Sequence, residues 1–203
     1  LNTVPDDLIC RMANPAHALV PHLHIPLQSG SDPVLKAMGR PYTAKEYFRF
    51  IENAAAQIPC LGLGADVMVG FPGETDEDFQ TTCDNIRRSP LNYLHVFQYS
   101  ERRQVASARI PGKVPAVVMQ RRSEMLRQIG EQKLLAFMHT WIDQDVDVLF
   151  ESQQGNCWIG HTGSYLEVAA NSCNNLENKI VRVHINEMDK RYLKGSVTSI
   201  NEV

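Results

Sequence analysis

The sequence lacks any long apolar run and any secretory leader pattern. No uninterrupted apolar stretch reaches the ~18 residues that a membrane-spanning helix needs. The succession of charged, apolar and small residues that marks a signal peptide is also missing. These absences argue against a membrane span and against export, so we expect a cytoplasmic protein. With 203 residues and 43% apolar content, the chain can form one large or two small domains with a core.

Cysteines are few and far apart. The five stand at Cys10, Cys60, Cys83, Cys157 and Cys173, and no two are close enough to form a loop that ligates a metal cluster. This scatter favours buried free thiols in a reducing compartment over a disulfide framework.

Histidine spacing gives no metal signature either. His22, His24 and His95 lie on strand patterns, without a His-x-x-x-His helix or an equivalent ligand spacing. Hydrogen-bonded core histidines are therefore favoured over ligands, and the sequence predicts no metal site.

The most informative segment joins an apolar strand to a glycine-containing turn. It reads Gly64-Ala-Asp-Val-Met-Val-Gly-Phe-Pro-Gly-Glu-Thr75. Residues 67–69 are typical of a parallel strand buried on both faces. Gly70 and Gly73 permit positive φ in the turn, and Thr75 with Asp78 predicts a capped helix. Free N–H groups in such a turn would face an anionic or polar ligand, although an ordinary strand-to-helix turn is the alternative.

Two further segments extend this pattern. His22-Leu-His-Ile-Pro-Leu-Gln-Ser-Gly-Ser-Asp-Pro33 runs from a strand into a helix capped by Ser31 or Asp32, and Leu91-Asn-Tyr-Leu-His-Val-Phe-Gln-Tyr-Ser100 is a third strand. Helical patterns over 43–57 and 75–88 separate the strands, which predicts a parallel α/β sheet. Polar residues at the carboxyl ends of such strands should converge on one site. They are Gln28, Ser29, Asp66, Gly70, Glu74, Gln98, Tyr99 and Ser100.

The pattern changes near residue 140. A long helix is predicted over 115–139, with an apolar core-packing stripe of Val118, Met125, Leu126, Ile129 and Ala136. Short strands follow at 146–150, 157–161, 165–169, 180–185 and 196–200. Five short strands in so few residues predict a small antiparallel barrel. We therefore divide the chain into an α/β part, residues 1–139, and a β-barrel part, residues 140–203.

Four motifs together resemble a known family. His24-Ile-Pro-Leu-Gln-Ser-Gly-Ser-Asp32, Met38-Gly-Arg-Pro-Tyr-Thr43, Val69-Gly-Phe-Pro-Gly-Glu-Thr75 and Leu94-His-Val-Phe-Gln-Tyr-Ser100 are similar, in order and spacing, to the radical S-adenosylmethionine methylthiotransferases. The resemblance is closest to the MtaB-type branch, which modifies threonylcarbamoyladenosine beside the tRNA anticodon. The MiaB-type branch, which modifies i6A in tRNA, and the ribosomal-protein (RimO-type) branch are less similar.

The resemblance also implies a fold. The first part of the chain would be an α/β partial TIM-type barrel, the C-terminal half of a radical SAM domain. The tail from about Trp141 resembles the TRAM domain that ends these enzymes, a small antiparallel β-barrel.

The family has features that this sequence does not contain. Its members carry a Cys-x3-Cys-x2-Cys loop that holds a [4Fe-4S] cluster, and the cluster ligands are absent here. We therefore expect the C-terminal part of a longer enzyme, inactive alone, with no catalytic residue of its own. The stretch Tyr99-Ser-Glu-Arg-Arg-Gln-Val-Ala-Ser-Ala108 departs from the family pattern as well, because Gln104 and Ala106 replace a Gly and a Pro.

For the full-length enzyme, the resemblance implies transfer of a methylthio group to C2 of N6-threonylcarbamoyladenosine at position 37 of tRNA. S-adenosylmethionine would be cleaved to a radical that abstracts hydrogen from C2, followed by sulfur insertion and methyl transfer. The implied cofactors are S-adenosylmethionine and [4Fe-4S] clusters, and the implied partners are the tRNA anticodon stem-loop and the missing N-terminal domain. The alternatives are the two other branches, a noncatalytic RNA-binding module, and a protein that binds a different phosphate or nucleoside ligand without a metal.

Roles in the predicted site combine the turn pattern with the resemblance. Glu74 and the turn backbone would line the nucleoside end of S-adenosylmethionine, and Phe97 with the main chain near Tyr99 would bracket its adenine. Asp66 would accept from a ribose hydroxyl or the amino group, with a structural strand end as the alternative. Arginine guanidiniums would hold a carboxylate or a phosphate. The predicted cofactor-binding residues are Gln28, Ser29, Asp66, Gly70, Gly73, Glu74, Phe97, Tyr99 and Arg102.

Charge gives evidence for and against RNA binding. Residues 87–127 contain nine basic residues and two acidic ones, which predicts a phosphate-binding face, with an ordinary solvated surface as the alternative. The basic residues are Arg87, Arg88, Arg102, Arg103, Arg109, Lys113, Arg121, Arg122 and Arg127. The tail from residue 140 has five basic and nine acidic residues, which weakens the RNA-binding role. The predicted RNA contacts are Arg40, Lys179, Arg182, Lys190, Arg191 and Lys194. Trp158 or Tyr165 would offer a stacking surface, with a core position as the alternative for Trp158.

Overall fold

A computed structural model describes residues 4–5, 7–14, 16–101, 110–190 and 192–200 of the chain. Its helices are α1 (Leu8–Ala13), α2 (Asp32–Ala37), α3 (Ala44–Gln57), α4 (Asp76–Arg88) and α5 (Ala116–His139). Its strands are β1 (His22–His24), β2 (Gly62–Val69), β3 (Tyr93–Gln98), β4 (Asp145–Gln154), β5 (Cys157–Thr162), β6 (Glu167–Asn171), β7 (Lys179–Met188) and β8 (Leu193–Ile200).

The chain divides into two compact units. Unit 1 comprises Leu1–His17 and Leu23–Lys133, and unit 2 comprises Ala18–His22 and Leu134–Val203. The division falls within α5, a few residues before the predicted boundary at residue 140. None of the helices in the described part of the chain is long and apolar enough to cross a membrane.

Unit 1 contains a three-stranded sheet in the order β1-β2-β3. Strands β2 and β3 are parallel, and Gln28 bridges to Val67 in the parallel sense beyond the end of β1. Leu63, Ala65, Val67 and Val69 point into the core, where side chains of α3 and α4 also pack. The predicted parallel α/β sheet is confirmed.

Helices α3 and α4 each begin at a capping box. In α4, the Thr75 hydroxyl accepts a hydrogen bond from the Asp78 N–H, while the Asp78 carboxylate accepts one from the Thr75 N–H. The predicted cap of α4 is therefore confirmed. The cap of α2 is different. Ser31 occupies the N-cap position without a side-chain cap bond, because its hydroxyl donates to Asp78 at 2.6 Å.

Helix α5 buries a different stripe from the predicted one. Leu126 and Ile129 are buried as expected, but Met125 and Ala136 are exposed, so the prediction was wrong for those two. The buried face continues through Arg122, which hydropathy alone would place in water. An ion pair described below explains this exception.

Unit 2 is a closed barrel in the order β4-β5-β6-β8-β7. Strand β4 alternates strictly at its start, burying Val146, Val148 and Phe150 and exposing the residues between them. The prediction of a wholly antiparallel barrel was wrong, because β6 and β8 pair in parallel. Gly160 lies opposite Phe150, and a Cβ there would come 2.2 Å from the Leu149 carbonyl oxygen.

The predicted burial of the cysteines is correct for Cys83 and wrong for three others. Cys83 is buried, whereas Cys10, Cys60 and Cys173 are exposed. Burial raises the pKa of the Cys83 thiol to about 11. A buried thiol that resists ionisation is chemically inert, because the thiolate is the reacting form.

We therefore expect iodoacetamide at pH 8 to label the three exposed cysteines well before Cys83 in the folded chain. Mass spectrometry of tryptic peptides at successive times should give a Cys83 rate at least tenfold below that of Cys10, and equal rates in urea. Equal rates in the folded chain would contradict the burial of Cys83.

Candidate functional site

One face of the unit 1 sheet is not filled by core side chains. Asp66 on β2 and its register partner His95 on β3 lie on it, and so do Phe97 and Tyr93, two residues to either side of His95. His24 on β1 contacts Asp66 from the other side. We call the side of the sheet defined by these five residues the open face. Phe97 is 51% exposed there, next to its register partner Met68.

A histidine–carboxylate cluster occupies the middle of the open face. Asp66 Oδ1 lies 3.0 Å from His24 Nε2 and 3.5 Å from His95 Nδ1. The His24 Nδ1 atom lies 3.1 Å from the Tyr93 hydroxyl. The expectation of a core histidine is wrong for His95, whose side chain is 58% exposed. His22 belongs to unit 2, where its ring stacks on Tyr165.

The turn after β2 is closed by a buried ion pair. Glu74 Oε2 accepts hydrogen bonds from the Gly70 N–H at 2.7 Å and from Arg122 Nη1 at 2.6 Å. Both side chains are almost completely buried, and Arg122 also lies over the Phe79 ring. Burial raises the pKa of the Glu74 carboxyl, while the Gly70 N–H and the guanidinium act in the opposite direction. The pair ties the glycine turn to α5.

The turn amides are satisfied within the protein. The Gly70 N–H binds Glu74, and the Gly73 N–H donates to the Gly112 carbonyl at 2.8 Å. The prediction of free N–H groups facing a ligand was therefore wrong for these two. Both glycines have positive φ, as predicted. A small cavity of about 140 Å³ adjoins the turn, with Gly70, Tyr99 and Met119 among its lining residues.

The polar turn after β1 is divided between two environments. Gln28, with φ of 68°, is half-buried and pairs through its backbone with β2. Ser29 is fully buried, and its hydroxyl lies 3.3 Å from that of Thr82 on α4. Ser29, which was predicted as a ligand contact, therefore connects the turn to α4 through its buried hydroxyl. The Tyr99 N–H donates to the Val69 carbonyl, which fixes the chain where β3 ends.

The predicted phosphate-binding face is reduced by internal contacts. Arg122 is buried, so its assignment to this face was wrong. Arg87 pairs with Asp84 at 2.9 Å, and Lys113 pairs with Glu101 at 2.7 Å. Arg102, Arg103 and Arg109 lie outside the described residues.

In unit 2, acidic residues contact two of the predicted RNA-binding side chains. Arg182 lies 3.3 Å from Asp147, and Lys194 lies 3.1 Å from Glu187. Lys179 and Lys190 are exposed, as is Arg40 in unit 1, while Arg191 lies outside the described residues.

Trp158 is buried in the barrel, which confirms the core alternative and excludes it as a stacking surface. Tyr165 is 62% exposed, and the rings of His22 and His161 stack on it with centroids 4.7 and 4.9 Å away.

The residues present do not fit an iron–sulfur cluster. Such a cluster needs three or four thiolates close together. Within the described part of the chain, the group of three or more cysteine, histidine or acidic residues with converging ligand atoms is His24, Asp66 and His95, which contains no cysteine.

Residues 2–86 match the model of the Radical SAM superfamily, so the predicted resemblance to that superfamily is confirmed. The similarity to this superfamily lies in the first part of the chain. This region includes β1, β2 and the glycine turn, and it ends in α4.

The chain is also similar to several tRNA-2-methylthio-N(6)-dimethylallyladenosine synthases. The protein of Mycobacterium bovis is 42% identical over 150 residues, covering 74% of this chain and 29% of the relative. That of Ehrlichia chaffeensis is 34% identical over 187 residues, covering 89% and 42%. That of Caldicellulosiruptor saccharolyticus is 32% identical over 194 residues, covering 95% and 41%. The chain thus spans less than half the length of these relatives.

Proposed function

We propose that this chain supplies the C-terminal part of a radical SAM domain, in a partial TIM-type barrel, and a TRAM-like barrel to a tRNA methylthiotransferase. One observation carries the proposal. The similarity to the Caldicellulosiruptor saccharolyticus synthase covers 95% of the chain and so extends through unit 1 into unit 2. A shared radical SAM segment alone would leave the barrel unmatched.

On this proposal the open face binds S-adenosylmethionine, which would supply the methyl group and the radical precursor. The Asp66 side chain is about one quarter exposed, and its carboxylate would accept a hydrogen bond from a hydroxyl or amino group. The exposed Phe97 ring, with Met68 beside it, offers an apolar surface for adenine. Gln28 and the backbone at Tyr99 lie at the strand ends. Ser29 and Glu74 would act indirectly, by fixing the two turns.

Within the family, two nucleosides are candidates for the substrate. The relatives' names favour N(6)-dimethylallyladenosine, and we take that branch as the leading hypothesis. The motif Leu94-His-Val-Phe-Gln-Tyr-Ser100 keeps threonylcarbamoyladenosine as the second candidate. In either case the tRNA anticodon stem-loop would be the partner, in an assembly that includes the N-terminal domain of the same protein.

For RNA contact, unit 2 offers the exposed Lys179 and Lys190 and the aromatic group formed by Tyr165 with the rings of His22 and His161 stacked on it. Backbone phosphates bind cationic side chains, and unstacked bases stack on aromatic rings. The acidic partners of Arg182 and Lys194 reduce what those two side chains contribute. We therefore expect modest affinity with a shallow dependence on salt, because the slope grows with the number of phosphates that are neutralised.

Calorimetric titration of the chain with S-adenosylhomocysteine tests the nucleoside part. Binding should weaken about tenfold in Phe97→Ala, because stacking of a base on an aromatic ring contributes about 1–3 kcal/mol. Val117→Ala is the matched control, since Val117 is 73% exposed on α5. Absence of binding, or equal binding by Phe97→Ala, would count against the open face as the nucleoside site.

A chimaeric enzyme tests which of the two nucleosides is the substrate. The chain would replace the matching segment of the Caldicellulosiruptor saccharolyticus synthase, and tRNA nucleosides from cells carrying it would be analysed by mass spectrometry. We expect methylthiolation of dimethylallyladenosine. Methylthiolation confined to threonylcarbamoyladenosine would select the second candidate. The absence of both products would contradict the proposed function.

A further inference from the structure

We propose that His24, Asp66 and His95 form a binding site for a divalent transition-metal ion on the open face, with Zn²⁺ as the best-fitting ion. The site stands on the geometry of these side chains alone. It shares the Asp66 carboxylate with the proposed nucleoside contact, so a bound ion and that contact would compete for the same oxygen. Two imidazoles and one carboxylate are a common ligand set for Zn²⁺ and related ions.

The two ligand separations from Asp66 fit one shared ion. Ligand bonds to tetrahedral Zn²⁺ are about 2.0–2.2 Å long, which places adjacent ligand atoms roughly 3.3–3.5 Å apart. The two contacts to Asp66 Oδ1, 3.0 and 3.5 Å, lie close to this separation, and one ligand atom from each residue lies within 4.8 Å of the others. The His95 contact is long for a hydrogen bond, whereas it is an ordinary separation for two ligands of one ion.

The sheet holds the three ligands in place. Asp66 and His95 are register partners on adjacent parallel strands, so their side chains leave the same face side by side. The Tyr93 hydroxyl contacts His24 Nδ1, which directs Nε2 toward Asp66. A hydrogen bond on the second nitrogen is the usual way in which proteins orient a metal-binding histidine. Gly64 makes room for this arrangement, because a Cβ there would come 2.1 Å from the Tyr93 ring.

Exposure leaves room for a further ligand. His24 and Asp66 are about one quarter exposed and His95 is 58% exposed, so an ion can enter and keep a water molecule. Three protein ligands with an open fourth position are typical of zinc sites that bind a small molecule. A histidine contacts a carboxylate at two other places, His161 with Glu151 and His184 with Asp145. Each of these pairs offers only two ligands, so they serve as controls for the three-ligand site.

The test is titration of the chain with Zn²⁺ at pH 8 by calorimetry, with Co²⁺ as a spectroscopic substitute. We expect one equivalent to bind, and bound Co²⁺ to show the intense ligand-field absorption of a tetrahedral site. Removal of a ligand should weaken Zn²⁺ binding more than the ~10–100-fold loss that is typical when a residue hydrogen-bonded to a ligand is replaced. The ligand variants are His24→Ala, Asp66→Asn and His95→Ala. Tyr93→Phe should lose about tenfold.

His184→Ala is the matched control, because it removes a histidine that contacts a carboxylate at 2.8 Å outside the cluster. It should bind Zn²⁺ like the parent chain, and circular dichroism checks that every variant is folded. No stoichiometric binding, or equal binding by Asp66→Asn and the parent, would overturn the metal site. Neither result would bear on the chimaera or the Phe97 experiment, so the two proposals fail separately.

Discussion

Replacing Arg122 by methionine should lower the free energy of unfolding by about 3–5 kcal/mol, because the change leaves a buried carboxylate without its cation. Glu74 is the carboxylate concerned, with a side chain only 1% exposed. Burial already raises its pKa above the ordinary value of 4.5. In Arg122→Met the pKa of Glu74 should rise further. The variant should therefore lose stability as the pH increases above the ordinary pKa of the carboxyl, because ionisation is then easier in the unfolded chain. Urea unfolding at pH 5 and pH 8 measures both effects, with the larger deficit at pH 8.

Arg121→Met is the matched control for this substitution. Arg121 is the preceding residue of α5, its side chain is 67% exposed, and it lies 3.8 Å from Asp76. An exposed pair of this kind contributes at most about 1 kcal/mol. The double variant Glu74→Gln with Arg122→Met should recover part of the loss, because no buried charge remains. Equal stability of the two single arginine variants would contradict a structural role for the ion pair.

Much of the fold follows from local sequence pattern. The parallel sheet was predictable from apolar strands that alternate with helices, and the start of α4 from Thr75 and Asp78, three residues apart. The barrel strands were placed within a few residues, because their alternation is also local. The parallel pairing of β6 with β8 was not predictable, since strand order within a barrel depends on contacts between distant segments.

The candidate site was predicted less completely, for the same reason. Asp66 was predicted to lie at a strand end, which was wrong, because it lies within β2. Its histidine partners come from two other strands, and His24 is 42 residues away. Metal motifs recognised in sequence depend on short spacings, which this cluster does not have. Glu74 was identified as well, but as a ligand contact, because nothing near it in sequence indicates Arg122, 48 residues further on. A lone arginine within the apolar stripe of α5 is the signal that could have indicated a buried partner.

Replacing Phe150 by alanine should destabilise the barrel of unit 2 by about 3–5 kcal/mol. Phe150 is fully buried on β4, packed in a core that includes Val148, Trp158 and Val181. Removal of the ring loses its transfer free energy and leaves a cavity, because closed strands cannot readily move inward to fill the space. Both tryptophans of the chain, Trp141 and Trp158, belong to unit 2, so their fluorescence during urea unfolding reports on this barrel.

Leu149→Ala provides the comparison that isolates burial from strand position. Leu149 is adjacent on the same strand but is 41% exposed, because alternate side chains of β4 point away from the core. We expect this variant to lose no more than about 1 kcal/mol. A fluorescence midpoint for Phe150→Ala close to that of Leu149→Ala would mean that Phe150 is not central to the barrel core. A large difference would establish that the inward face of β4 stabilises the barrel on which the proposed RNA contacts, Lys179, Lys190 and Tyr165, are carried.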